Sequence, residues 1–235
     1  METSLYAAFG LGLILGVKHA LDADHLIAVS TIVSEHKNLK WASLIGAFWG
    51  LGHTTTLFAV GVLVIGLRLT ISTRVALGLE FLVAIMLVIL GANILWRSFQ
   101  KEKAHLHAHN HSPETHVHFH VHGSAQEDHA HAHVFKTMRK PFFVGMVHGL
   151  AGSAALMLLV LTTIPSPMDG LLYIVIFGFG SVGGMLVLSS LIGLPFILTA
   201  QRFTALNRWI RLVAGLASVL FGLFLGWEIG NEGLF

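Results

Sequence analysis

The chain has 235 residues, 54% of them hydrophobic and 11% charged, with a formal net charge of +2. That is far less polar surface than a soluble globule of this length carries, and the basic residues sit at the ends of apolar runs, so neither a water-soluble domain nor a nucleic-acid surface is expected. Cysteine is absent, which removes disulfides and thiolate ligands and leaves imidazole, carboxylate, carbonyl and thioether groups as donors for any metal.

Six apolar segments follow one another, at residues 5–33, 41–67, 75–96, 142–164, 170–200 and 209–230, each long enough to span a hydrocarbon core about 30 Å thick. The expected fold class is an all-α membrane protein of six transmembrane helices. Residues 1–100 would hold the first three, 101–140 a connecting loop and 141–235 the last three. Residues 5–17 have the apolar character of a signal-peptide core, but no basic residue precedes them and ionisable residues stand where a cleavage site would fall. A retained first helix is expected.

The first segment carries Lys18-His19-Ala20-Leu21-Asp22-Ala23-Asp24-His25. A charged side chain at the bilayer centre costs about 2.5–3.5 kcal/mol on insertion scales, so this cluster needs partners or a bound ion. At helical spacing His19, Asp22 and His25 recur every three residues and share one broad face; two imidazoles and a carboxylate make a divalent-metal site. Asp24 points nearly the opposite way on an ideal helix. Either it bonds to neighbouring helices or the helix unwinds here, as the broken helices of transporters do. Lys18 falls on the metal side, where it pairs with an aspartate in the empty state or snorkels to an interface. The plain alternative is a polar network that glues helices together, which does not require two carboxylates and two imidazoles within seven residues.

In the second segment, Phe48-Trp49-Gly50-Leu51-Gly52-His53-Thr54-Thr55-Thr56 combines glycines that permit close helix approach with hydroxyls, Thr54 first among them, that can orient an imidazole. His53 either completes the site or is a satisfied structural histidine. Glu80 and Asn93 in the third segment are weaker candidates, since Glu80 either pairs with Arg211 or lies near a helix end.

The loop at 101–140 holds eleven of the sixteen histidines: His105, His107, His109, His111, His116, His118, His120, His122, His129, His131 and His133. Most stand at alternate positions, so an extended chain presents several imidazoles on one side, expected to hold metal weakly and exchange it quickly. The fourth segment contains His148-Gly149-Leu150-Ala151-Gly152-Ser153, which adds His148 and Ser153 as candidates on the substrate path.

The two halves match when laid side by side. Gly16-Val17-Lys18-His19-Ala20-Leu21 aligns with Gly145-Met146-Val147-His148-Gly149-Leu150, Gly50-Leu51-Gly52-His53 with Gly178-Phe179-Gly180-Ser181, Gly91 with Gly222, and Trp96 with Trp227. Three spans separate the copies, so the second half runs the opposite way, a 3+3 inverted repeat with a site near the midplane between the halves. Lysine and arginine in the short loops set the orientation. Lys37, Lys40, Arg97, Lys101, Lys103, Lys136, Arg139, Lys140, Arg202 and Arg208 fall on one side against Arg68 and Arg74 on the other, which puts the histidine loop in the cytoplasm and both termini outside.

These residues resemble the nickel/cobalt transporter family, whose metal-selecting helix has the form His, four residues, Asp-His. His19 to Asp24-His25 fits it, with Lys18 where larger members tend to have arginine. Gly52-His53-Thr54 is similar to the family's second motif, and the stretch from His148 to Ser153 looks like its short, urease-associated nickel permeases. The resemblance covers all six segments and leaves out the loop between Ala104 and His133. It implies a multi-pass plasma-membrane permease for Ni2+ or Co2+, with the ion as substrate, no cofactor, His19, Asp22, Asp24, His25 and His53 as the metal residues, and cytoplasmic metallochaperones as partners. Longer members carry eight spans and second-half signatures that are not found here, and the histidine-rich loop is also similar to that of nickel and cobalt exporters in the wider superfamily.

Uptake is thus the first expectation and efflux for metal resistance the second. An intramembrane metal-dependent hydrolase is a remote third, because no HExxH stands in the chain and no nucleophile or general base is evident. A sensor or chaperone subunit, in which the loop binds metal and the helices only anchor it, is a fourth. No GxxxxGK[ST] loop occurs, so the membrane potential, an ion gradient or a partner must drive transport. Affinity alone would favour copper, so selection of nickel rests on geometry and availability. Asp22→Asn is expected to abolish uptake while leaving the protein inserted.

Overall fold

The computed structural model describes residues 2–36, 38–67, 69, 71–99, 105–111, 114–120, 134–164 and 166–234, with backbone alone for 2–5, 105–111, 114–120, 134–136, 153–163, 201 and 234. Among these residues the chain forms seven α-helices and one hairpin: α1 (Glu2–His19), α2 (Ala23–Val33), α3 (Leu39–Leu67), α4 (Thr73–Phe99), β1 (His105–His111), β2 (Glu114–His120), α5 (Val134–Thr163), α6 (Pro167–Arg202) and α7 (Thr204–Ile229). A π-helical turn, Gly230–Leu234, ends the described chain, with Gly233 at φ 102°. Four helices are long and apolar enough to cross a membrane, Leu39–Leu67, Thr73–Phe99, Pro167–Ala200 and Thr204–Gly233, and two shorter apolar helices, Tyr6–His19 and Ala23–Val33, precede them. The protein is a multi-pass, helical membrane protein.

The first apolar segment is not one helix. The i→i−4 bonding ends with Ala20 N–H to Gly16 O (3.2 Å), after which Leu21 and Asp22 donate three residues back to Lys18 and His19 (2.9 and 3.1 Å). Asp22 then adopts an extended conformation (φ −63°, ψ 148°), and helical bonding resumes with Leu26 N–H to Asp22 O (3.0 Å). At the break the side chain of Asp22 turns back to His19 rather than capping α2. Helix α5 begins at Val134, eight residues ahead of the apolar run, and carries Pro141. At the start of α6, Ser166 accepts from Asp169 N–H (3.4 Å) and Pro167 fills the first turn, the residue types that such an end favours.

Helix α3 packs along both α5 and α6, which scarcely touch each other; α1 lies on α6, and α4 on α7. Glycines set these approaches, and their contacts come in matched pairs. A Cβ on Gly52 would run into the Phe142 carbonyl oxygen as one on Gly180 would run into that of Leu13. Gly145 faces Trp49 O as Gly16 faces Phe177 O, and Gly222 faces Ala84 O as Gly91 faces Gly215 O. Helices associate in lipid by close packing of small residues, because lipid tails are as apolar as leucine side chains. The outward surface accordingly carries Ile14, Leu63, Ile89, Phe179, Leu198 and Val213, all exposed. The main core joins Ala28, Val29, Trp49, Leu87 and Met185 around the site described next.

In the loop, β1 and β2 pair antiparallel with His105 opposite His120, His107 opposite His118, His109 opposite His116, and His111 opposite Glu114. Histidines at alternate positions of both strands are thus in register. His122, His129, His131 and His133 lie outside the described residues.

Candidate metal centre

Four histidines converge where α1 breaks. His53 stands at the midpoint of α3 and His148 at that of α5, and they meet His19 at the end of α1 and His25 in the first turn of α2. Ring centroids are 4.6 Å apart for His19 and His25, 4.1 Å for His25 and His148, and 5.0 Å for His19 and His53. His25, His53 and His148 are buried.

The two aspartates sort the imidazole nitrogens. His19 donates from Nδ1 to Asp22 Oδ2 (2.8 Å), which leaves the lone pair of its Nε2 to accept from His53 Nε2 (3.2 Å). Asp24 accepts on Oδ1 from the backbone N–H of His25 (2.9 Å) and, at 3.1 Å, from its ring Nδ1. Its Oδ2 accepts from His148 Nε2 (2.8 Å). An imidazole whose one nitrogen donates to a carboxylate offers the lone pair of the other, the usual arrangement behind a metal-ligating histidine. His25 and His148 match this pattern through Asp24, while the other nitrogen of His53 pairs with His19: among the described residues, His25 Nε2, His53 Nδ1 and His148 Nδ1 are buried with no hydrogen-bond partner. Two sets can each hold an ion, with ligand atoms within 4.8 Å of one another: His19, His25 and His53, and Asp24, His25 and His148. His25 belongs to both.

The expected residues divide accordingly. His19, Asp24, His25, His53 and His148 come together. Asp22 does not sit between His19 and His25 as ideal helical geometry suggests; the break swings it onto His19 alone, with its side chain 51% exposed. Both alternatives weighed for Asp24 occur, since the helix unwinds beside it and it also bonds across to α5. Lys18 is exposed and forms no ion pair among the described residues. Thr54 does not orient His53; its hydroxyl reaches Gly178 O (3.4 Å), while Thr55 and Thr56 donate to Leu51 O and Gly52 O of their own helix. Ser153 lies in α5, its side chain outside the described residues.

Two neighbours were less legible in the sequence. Trp49, fully buried, packs its ring 5.9 Å from that of His148 and 6.5 Å from that of His25, walling the cluster with apolar surface. Phe177 of α6 tilts against His19 at 5.5 Å. Glu80 forms no ion pair with Arg211 among the described residues. The two stand near opposite ends of the antiparallel α4 and α7, and Arg211 instead feels the charge of Glu35. Glu35 also contacts Arg97 (3.3 Å), and Arg97 Nε donates to Asn93 Oδ1 (3.3 Å). Beside this layer His36, in the α2–α3 connection, is pushed below its ordinary pKa by burial.

The comparisons agree with this chemistry. A family described as "High-affinity nickel-transport protein" matches residues 5–226. A urease accessory protein, UreH, of Bacillus sp. (strain TB-90) is 40% identical over 235 residues, which cover 100% of this chain and 97% of the relative. No solved structure matches the chain. With a helical membrane bundle, buried groups of histidine and aspartate fit to hold a metal, and a match over nearly the whole length, the chain belongs to the high-affinity nickel-transport protein family, a family of transporters rather than enzymes.

Proposed function

We propose that this protein takes up Ni2+, and Co2+ as a second substrate, through the His/Asp cluster, and that the cluster lies near the bilayer midplane. The observation that carries the reading is the set of buried imidazole nitrogens without a partner on His25, His53 and His148, two of these rings donating their other nitrogen to Asp24. Without an ion such nitrogens are costly, and neutral imidazole with carboxylate suits nickel. His53 and His148, at the midpoints of long apolar helices, support the depth.

The ion passes between two sets, His19 with His25 and His53, and Asp24 with His25 and His148, the shared His25 letting one contact persist while others exchange. Asp22 and Asp24 offset the ion's charge and orient the rings. The six spans count α1 and α2 together as the first, followed by α3, α4, α5, α6 and α7, in a 3+3 inverted repeat. The matched glycine contacts support it: each joins residues that are equivalent between the halves, Leu13 with Phe142, Trp49 with Phe177, and Ala84 with Gly215. The positively charged ends face the cytoplasm, where the paired histidines of β1 and β2 accept the ion. Cytoplasmic metallochaperones then carry it onward, and the relation to a urease accessory protein points to urease as the destination.

Radioactive nickel settles the matter in proteoliposomes and in cells. Wild-type protein should move 63Ni2+ inward with saturation, and deletion of 104–133 should leave inward movement in place. Net extrusion from loaded cells would establish efflux instead, and absence of any flux would remove transport by this chain alone.

A further inference from the structure

A partly open cavity of about 160 Å³ adjoins the cluster, lined by His19, Asp24 and His148 on one side and by Glu80, Val83 and Leu225 on the other. Its direction follows from the helices. Ala151 and Gly152, which also line it, continue α5 from His148 toward Thr163, and Glu80 is one turn nearer than Val83 to the Thr73 end of α4. Both point to the face of the molecule that carries the α3–α4 connection. At that face stands Glu232, exposed in the terminal π-helical turn and close enough to Glu80 to repel it.

We propose that Glu80 is a waiting position for a hydrated divalent cation on the way between that face and the His/Asp cluster, an inference that rests on the transport reading above. Glu80 is half-buried about two turns inside an apolar helix. An ionisable residue at such depth is costly and faces a polar path when it is retained. Among the described residues it has no hydrogen bond or cation to offset its charge; it has a second carboxylate near it and a cavity in front of it. A cation in the cavity relieves both the burial and the repulsion. The space admits an ion with several waters, at roughly 30 Å³ each. A carboxylate oxygen is a ligand that an ion still partly hydrated accepts, whereas the imidazoles beyond it require that water be shed. His148, with its buried Nδ1 unpartnered, lines the same cavity and is the next donor inward. Glu232, Glu80 and Asp24 thus form a file of acids of increasing depth that ends at the imidazoles.

The test compares wild type, Glu80→Gln and Glu80→Asp by initial 63Ni2+ flux into membrane vesicles of each orientation, and by equilibrium dialysis of 63Ni2+ against purified full-length protein. For Glu80→Gln the half-saturating Ni2+ concentration should rise about tenfold, the lower end of what a charged cleft does for ion capture, with the maximal rate kept. The rise should occur only when Ni2+ is supplied to the face of the α3–α4 connection; equilibrium binding should stay within about threefold, and Glu80→Asp should recover most of the loss. Glu80→Gln with wild-type half-saturation, an equal rise from both faces, or loss of equilibrium binding along with flux would each overturn the assignment. A wild type that neither binds nor moves Ni2+ would instead remove the transport reading, and this one with it.

Discussion

His148 Nε2 and Asp24 Oδ2 stand 2.8 Å apart although 124 positions separate the residues, so a single carboxylate ties the start of α2 to the midpoint of α5. Its other oxygen holds His25, while Asp22 reaches only His19. Asp24→Asn is expected to weaken Ni2+ binding by about 10–100-fold, the usual loss when a carboxylate behind metal-binding imidazoles is removed. Asp22→Asn should cost less in binding, even where it slows transport. Calorimetric titration of both variants ranks them, and a larger loss at Asp22 would reverse the roles given to the two acids.

The free nitrogens ligate only when unprotonated, so protons compete with the metal. Ni2+ affinity should therefore be highest where these imidazoles are neutral and fall as pH drops through the range in which they protonate. Equilibrium dialysis of the chain lacking 104–133, which removes the loop histidines, measures this for the helical cluster alone. Binding that shows no fall with acidity at any pH where the protein stays folded would mean that imidazoles are not the ligands.

Gly52 and Gly145 meet backbone carbonyls of the facing helix, and backbone cannot swing aside as a side chain can. Gly52→Ala and Gly145→Ala should each destabilise the protein in detergent by about 1–3 kcal/mol, the range for overpacking. Gly10→Ala, where a Cβ meets nothing within 4 Å, should be neutral or slightly stabilising because alanine is the better helix former. Thermal denaturation followed by circular dichroism distinguishes them, and three equal melting temperatures would mean that α3 and α5 do not rely on that close approach.

The site was legible where chemistry contradicts its surroundings. His19, Asp22, Asp24 and His25 stand out because ionisable side chains in an apolar run need a reason, and His148 because it repeats His19. What could not be read was which nitrogen meets which oxygen. No glycine or proline marks the break at Ala20–Asp22, and the bond from His19 to Asp22 that accompanies it is visible only in the fold. Thr54 follows His53 directly, so about 100° of helical rotation carries it to the α6 side of α3, away from the imidazoles. Glu80 and Arg211 have complementary charge, and only the antiparallel course of α4 and α7 shows that they stand at opposite ends.

The nickel K-edge absorption spectrum of the protein lacking 104–133, loaded with one equivalent of Ni2+, bears most directly on the claim that the helices hold the ion. The account predicts a first shell of nitrogen and oxygen with the multiple-scattering signature of several imidazoles, reduced in His25→Ala because that ring belongs to both ligand sets. Nickel surrounded by water and carboxylate alone, or a spectrum that His25→Ala leaves unchanged, would contradict it.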